Sequence, residues 1–416
     1  MESALSSRGN ANLTEVLPLF PPYLLNPDFT WDGVDLTLAE NQLIRGEILS
    51  ILKTSVAENV QPQHLDWPKG LCGHPKLLDA LAKTFNRYFH PYAPIEQEHI
   101  AVMPGTAAGL DSLLYHLCDP GDGVLVPCPY WSGYDTYFAV RSQVRPIGVE
   151  ISSLEESLGS TLISALESQY QQAPCPIKAV VLSNPHNPLG RPYPPAVLEQ
   201  CMAFCQERNL HLIADEVFAL TGFTSPDLPD WPPFASILSL DPARARCSAD
   251  RVHVLWSVSK DLAASGVRLG CIATRNAALR SALGLASSVN VSALSGVFVA
   301  DLLTSPQLPS LLDLSRVRLA ERYAVLTTAF RRIGIAYVPC SSAVFLMARL
   351  APRATTVDEE VQACGQYRAG GVAVVPGKAY HMPKDQRGWM RVTFGVETEE
   401  LERGIHCIEL VYRQLC

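Results

Sequence analysis

The stretch VHVLWSVSKDLAASGVRLG, Val252 to Gly270, begins as an apolar β-rich run and ends on a single lysine, Lys260, set among small residues, with Arg268 eight positions on. An ammonium beside a buried strand is costly, so lysines seldom sit there without chemistry to perform. A desolvated lysine is also more easily neutralised, and a neutral amine attacks carbonyls. The pattern therefore predicts a buried strand that delivers a reactive amine to the edge of a sheet.

Runs of the same texture lie around it: GVLVPCP from Gly123, KAVVLSNP from Lys178, LHLIADEVF from Leu210 and GCIAT from Gly270. Helical stretches separate them. One of these, HPKLLDALAKTFNRYF from His74, puts Leu77, Leu78, Leu81 and Phe85 on one face. Apolar strands alternating with amphipathic helices predict an α/β fold with a largely parallel sheet. The chemically loaded residues follow the strands: Tyr130 and Trp131, Asn187, Asp215 and Lys260. Ligands of open α/β sheets lie outside the carboxyl ends of the strands, so these side chains are expected to share one crevice.

With 416 residues the chain exceeds one ordinary core, and a second, smaller unit is expected. We place a large domain at residues 63–310 and a smaller α+β domain at 311–416, where GIAYVPCSSAVFLMARL, GVAVVPG and WMRVTFG follow a helix. Residues 1–62 read as an irregular, proline-rich arm (LPLFPPYLLNPDF) that also contributes to the small domain. A net charge of −8 argues against nucleic acid or an acidic membrane as partner. No run of eighteen apolar residues and no secretory start is present, so a cytosolic location is expected. The twelve cysteines are scattered without a C-x-x-C pair and read as buried free thiols, and the ten histidines show no metal-ligand spacing.

Six motifs in order, LAENQL (38–43), DPGDGVLVPCPYWSGYD (119–135), SNPHNPLG (183–190), ADEVF (214–218), SVSKDLAASGVRLG (257–270) and WMRVTF (389–394), carry a resemblance. From about residue 35 to its end the chain resembles the class I/II aminotransferase superfamily, fold type I of the pyridoxal-phosphate enzymes. Within it the likeness is to 1-aminocyclopropane-1-carboxylate synthases and their fungal relatives.

The resemblance implies pyridoxal 5'-phosphate as cofactor and a role for each matched residue. Lys260 is implied to carry the cofactor and move the α-proton, and Asp215 to pair with the pyridinium nitrogen. Trp131 is implied to stack on the ring and Asn187 to bond its phenolic oxygen. Gly105, Thr106 and Ala107 at a helix start, with Ser257 and Arg268, are implied to hold the phosphate. Arg391 is implied to grip the substrate α-carboxylate, with Glu40, Trp67 and Phe218 also on the substrate side. In isolation most of these have ordinary readings: Asp215 as a turn cap, Trp131 as core packing, GTAAG as a plain turn, Arg391 as a surface ion pair. Their joint order is what weighs against those readings.

Two positions depart from the family pattern. Phe218 stands where a tyrosine is usual in D-E-x-Y, so a hydroxyl near the phenolic oxygen is lost. Trp67 stands where a tyrosine commonly reaches the neighbouring subunit's site, and indole offers one N–H donor and no acidic proton. Both changes count against cyclopropane formation. The resemblance implies a homodimer and leaves three functions. The favoured one is a carbon–sulfur lyase eliminating a β-thiolate from a cysteine-type conjugate, as in the fungal group with gliotoxin-type lyases. An aminotransferase is the alternative, and a cofactor-binding protein without catalysis is disfavoured by Lys260, Asp215 and Arg391 occurring together.

Overall fold

The computed structural model describes residues 4–20, 25–26, 31–67, 69–151, 153–154 and 156–416. Twelve strands are found among them: β1 (Val34–Asp35), β2 (Ile100–Met103), β3 (Gly123–Pro127), β4 (Arg145–Val149), β5 (Ile177–Ser183), β6 (His211–Asp215), β7 (Val252–Ser257), β8 (Gly270–Thr274), β9 (Phe345–Arg349), β10 (Val372–Ala373), β11 (Val375–Pro376) and β12 (Trp389–Thr393). Seven form one sheet in the order β2-β8-β7-β6-β5-β3-β4, parallel except that β8 opposes both its neighbours. The central strands are buried along almost their whole length, which is why they read as unbroken apolar runs rather than alternating ones.

All five runs singled out by sequence are strands, and β2 and β4 join them at the edges. β4 hides from a pattern search because Pro146 and Gly148 interrupt it, residues tolerated where one side of the strand has no neighbour. The helix Pro75–Tyr88 buries Leu77, Leu78, Leu81 and Phe85 as its spacing predicts. Phe85 and Phe89 set their rings 4.8 Å apart, and both meet Trp256 of β7 edge-on at about 6 Å. Trp256 in turn donates to Asp261 at 2.7 Å, so this layer holds the turn that carries Lys260.

The C-terminal part builds a second layer. β11, β12 and β9 form an antiparallel sheet backed by the helices Leu308–Ile333, Val357–Ala369 and Thr398–Leu415. Its core contains Leu319, Phe330, Leu346, Met390 and Val392, and Val34 of β1 joins it by pairing with Val372 of β10. The N-terminal region is more ordered than its proline content predicts. Arg45–Asn59 is a 15-residue helix, missed because it buries only Ile48 and Ser55 and so lacks an apolar stripe. Ahead of it Asn12 donates to the Val140 carbonyl at 2.9 Å, which fastens the arm to its own chain. Residues 21–24 and 27–30 of the proline-rich stretch lie outside the described residues.

All twelve cysteines are free thiols, eight of them buried. Among the described residues no three His, Cys, Asp or Glu side chains group to hold a metal, and no helix is long and apolar enough to cross a membrane. Two histidines on neighbouring strands do meet: the His211 and His253 rings are 2.9 Å apart at Nδ1 and Nε2, and His253 Nδ1 lies 2.8 Å from the Thr274 hydroxyl. Burial holds His253 well below the ordinary imidazole value, with repulsion from His211 adding to it.

The unfolded chain protonates His253 near pH 6.5 while the folded one resists, so its share of stability is present above pH 6.5 and lost as pH falls below it. The expected loss is about 1.4 kcal/mol per pH unit in that window. His253→Gln should flatten the dependence of urea-unfolding stability on pH between 6.5 and 5; an equally steep dependence in both proteins would refute the assignment.

Candidate active site

The carboxyl edge of the large sheet gathers the residues singled out by sequence. Asp215 ends β6, registered between Ser183 of β5 and Leu255 of β7. Ser257 ends β7 and caps the single turn Val258–Asp261, accepting from the Ser259 amide at 3.3 Å, so Lys260 is held on a short rigid helix. Because β8 runs in reverse, Arg268 just ahead of it returns to this same edge. β2 pairs with β8, Met103 opposite Gly270, which brings Gly105 alongside. Asn187 and Trp131 stand on the loops that leave β5 and β3.

Close packing shapes a cradle here. A side chain on Gly270 would lie 2.9 Å from the Trp256 carbonyl and 3.1 Å from Ser257 Cβ, so only glycine lets the strands approach. Gly105 has φ +93° and a side chain on it would overlap the Arg268 guanidinium. That guanidinium donates to the Ser265 carbonyl at 2.9 Å and the Pro104 carbonyl at 3.3 Å. The helix Thr106–Leu117 begins at this point with no side-chain cap, leaving its first N–H groups directed at the cradle.

Arg391 of β12 is buried and comes from the second layer. It donates to Asn187 Oδ1 at 3.1 Å and to the Thr37 carbonyl at 2.6 Å. Its guanidinium carbon is 4.6 Å from the Phe345 ring centre and 4.9 Å from that of Tyr380. Its Nε has no hydrogen-bond partner among the described residues. A buried guanidinium with an unused donor is poised for a carboxylate.

The charges show the strain of burial. Desolvation lowers the Lys260 ammonium to about 8; the Glu40 carboxylate is the strongest opposing influence, while Arg391 and Arg268 push it down further. Desolvation raises the Asp215 carboxyl to about 6, opposed first by the Tyr134 hydroxyl, which donates to Asp215 Oδ2 at 3.2 Å, then by the Val217 amide. Their sequence neighbours Glu216 and Asp261 are also buried and raised to about 8. Glu216 accepts from Ser236 at 2.6 Å and the Ile237 amide at 2.8 Å; Asp261 accepts from Trp256 and, at 3.1 Å, from the Leu220 amide. These two carboxyls brace the chain on either side of the site rather than entering it.

Not every expected residue joins the cluster. Phe218 is 2% exposed and sits edge-on behind Phe345 at 5.3 Å, a support for the Arg391 shelf rather than part of its surface. Glu40 is partly exposed and paired with Arg45, close enough to Lys260 to influence its charge. Trp67 is 77% exposed on a loop that borders a separate cavity of about 370 Å³, flanked by His64, His74 and the helix Ala293–Thr304. Tyr134, Phe345 and Tyr380 belong to the cluster and had no sequence signal: each is an aromatic residue in an apolar context, where core packing is the ordinary reading.

A planar phosphorylated pyridine aldehyde fits these features. The cradle offers amide donors and a guanidinium, Trp131 an aromatic face, Asp215 a buried carboxylate, and Lys260 an amine with no hydrogen-bonding partner among the described residues. The comparisons agree. The family of aminotransferases class I and II matches residues 65–408. The chain is 43% identical over 411 residues to the probable aminotransferase aclI of Aspergillus oryzae, covering 98% of both chains. It is 35% identical to the probable aminotransferase gliI of Aspergillus fumigatus, covering 91% of this chain and 89% of that one. The aspartate aminotransferase from Thermus thermophilus with maleate superposes with a TM-score of 0.79 at 22% identity, over 98% of this chain and all of that chain. The family match over residues 65–408 and these relatives make the chain a member of the class I and II aminotransferase family, with the fold type I architecture and pyridoxal 5'-phosphate as its cofactor.

Proposed function

We propose that this enzyme is a carbon–sulfur lyase that eliminates a β-thiolate from a cysteine-type S-conjugate, in fungal sulfur-containing secondary metabolism. The observation that carries the reading is Phe218: the phenyl ring packed against Phe345 leaves no hydroxyl at this position, while the groups an elimination needs are all present. The names of aclI and gliI favour the second reading, transfer of the amino group to a keto acid.

When bound, pyridoxal phosphate withdraws electrons from the substrate α-carbon. Gly105, Thr106, Ala107, Ser257 and Arg268 would hold its phosphate, Trp131 would cover its ring, and Asn187 would bond its phenolic oxygen. Arg391 takes the substrate carboxylate in its guanidinium fork and fixes the α-carbon before Lys260. With its ammonium lowered to about 8, Lys260 has a neutral fraction able to accept the α-proton at Nζ. The β-carbon–sulfur bond then breaks, the electron pair leaves on sulfur, and the enamine product hydrolyses to a keto acid and ammonia. A thiol, with its pKa near ~8.5, leaves more readily than an alcohol. The Glu40 carboxylate favours the charged form of the same amine once it has taken the proton.

S-benzyl-L-cysteine should release benzyl thiol, ammonia and pyruvate with no added keto acid. Thiol release absent across small and bulky S-conjugates, with stoichiometric amino transfer to an added keto acid, would establish the aminotransferase instead.

Asp215 has to be ionised to pair with a protonated pyridine nitrogen, and Tyr134 is its one side-chain donor among the described residues. Tyr134→Phe keeps the ring against Trp131 and removes that donor, so the carboxyl should rise further above about 6. The acid limb of kcat/KM, and the pH below which apo-protein loses cofactor affinity, should both move up by about one unit. Unmoved limbs would show that Tyr134 only fills space.

The active form we propose is a homodimer in which Trp67 completes the partner's site; Trp67 and nearby Leu65, 83% exposed, are large apolar side chains left uncovered in one chain. Lys260→Ala subunits mixed with Trp67→Ala subunits should regain activity above either parent through one intact site per heterodimer. Proven subunit exchange with no gain would exclude the shared site.

A further inference from the structure

The turn Gly377–Tyr380, which carries Tyr380 beneath Arg391, is pinned on both sides. On one side the buried Glu360 accepts from the Lys378 amide at 2.7 Å and the Gly388 amide at 2.9 Å. On the other the turn meets the loop that bears Trp131. The Tyr130 amide donates to the Tyr380 carbonyl at 2.8 Å. The next residue, His381, takes a left-handed backbone (φ 54°) and lays its ring on that of Tyr130, centres 4.2 Å apart and nearly parallel at 18°. One carboxylate closes the arrangement: Asp135 Oδ2 is 2.7 Å from His381 Nε2, and Asp135 Oδ1 accepts from the Tyr130 hydroxyl at 2.9 Å.

The strained backbone at His381 is meaningful because it is over-determined by these contacts. Without the Asp135 bond, the half-exposed His381 keeps only its stack on Tyr130 and its amide bond to the Lys378 carbonyl at 3.1 Å, and Tyr380 is its covalent neighbour. Glu360 fixes the front of the turn, while its end is held by the Tyr130 amide on the Tyr380 carbonyl and by the His381 ring bonded to Asp135. We propose that His381 and Asp135 are positioning residues that lock the Tyr380 ring against Arg391, and thereby set how firmly the enzyme grips a substrate carboxylate.

The proposal rests on the reading of Arg391 as the carboxylate site, and the test separates the two. Cofactor-loaded protein is titrated, by its visible absorption, with 2-aminoisobutyrate, which has no α-hydrogen to lose, and with isopropylamine, the same amine without the carboxylate. The ratio of the two affinities measures the carboxylate's contribution. His381→Phe keeps a ring on Tyr130 and removes the donor to Asp135; it should lower the ratio about tenfold, a charged hydrogen bond's worth, and leave isopropylamine unaffected. Asp135→Ala should do the same, and His381→Gln, which can still donate, should restore most of the ratio. In an Arg391→Ala background His381→Phe should change nothing further. If Arg391→Ala lowers the ratio but His381→Phe and Asp135→Ala do not, or if they weaken both probes equally, the latch is overturned and the carboxylate site stands. A ratio indifferent to Arg391→Ala overturns both. Thermal melting accompanies each variant, and Asp135→Ala decides the matter should His381→Phe not fold.

Discussion

The structure turns on burying ionisable groups at one edge of a sheet. Asp215, Glu216 and Asp261 are carboxyls with almost no solvent contact, and Arg391 is a guanidinium in the same condition. A buried charge without partners costs several kcal/mol, so each has to be answered locally. The answers differ. Glu216 and Asp261 are raised to about 8 by burial, so the neutral acid prevails at neutral pH although the hydrogen bonds each accepts pull the other way. Asp215, raised only to about 6 against Tyr134 and Val217, stays predominantly ionised at neutral pH. Three adjacent carboxyls thus fall into two roles by environment alone, two as braces and one as a charge available to a cofactor.

Arg391 is answered from the other layer, and this is what couples the two sheets. Its hydrogen bonds reach Asn187 on the large sheet and Thr37 near the N-terminal arm, while its flat faces lie over Phe345 and Tyr380. Aromatic faces offset part of the cost of desolvating a cation and leave its in-plane donors unspent. Phe218 backs Phe345. A residue read from sequence as a missing hydroxyl is, in the fold, a structural wall for the arginine, and both descriptions bear on the same chemistry.

How much of this was legible follows from where each residue stands. Lys260, Asp215 and Asn187 are polar residues at the ends of long apolar runs, an arrangement that stands out because the runs have few other polar positions. Arg391 was visible only through its motif, since WMRVT is a short strand with no flanking signal. Tyr134, Phe345 and Tyr380 could not be found, because an aromatic residue in an apolar neighbourhood looks the same whether it lines a core or a site. The helix Arg45–Asn59 was invisible for the converse reason: it is anchored by a hydroxyl, Ser55, bonded to Asp301, rather than by an apolar stripe. Spacing rules detect elements that bury one face, and this helix buries little.

Lys260 shows how the opposing effects settle. Burial and two guanidiniums favour the neutral amine; Glu40 and Asp215 favour the ammonium, and the balance falls at about 8. At pH 7 an amine of that pKa is neutral in about one molecule in ten. Deeper burial would raise this fraction but would take away the solvent that stabilises the ammonium formed when a proton is accepted and that later carries the proton off. Removing Glu40's influence would act in the same direction. A lysine left partly exposed, with the Glu40 and Asp215 carboxylates opposing its desolvation, therefore gains reactivity and keeps its ability to exchange protons, which a base working in repeated cycles requires.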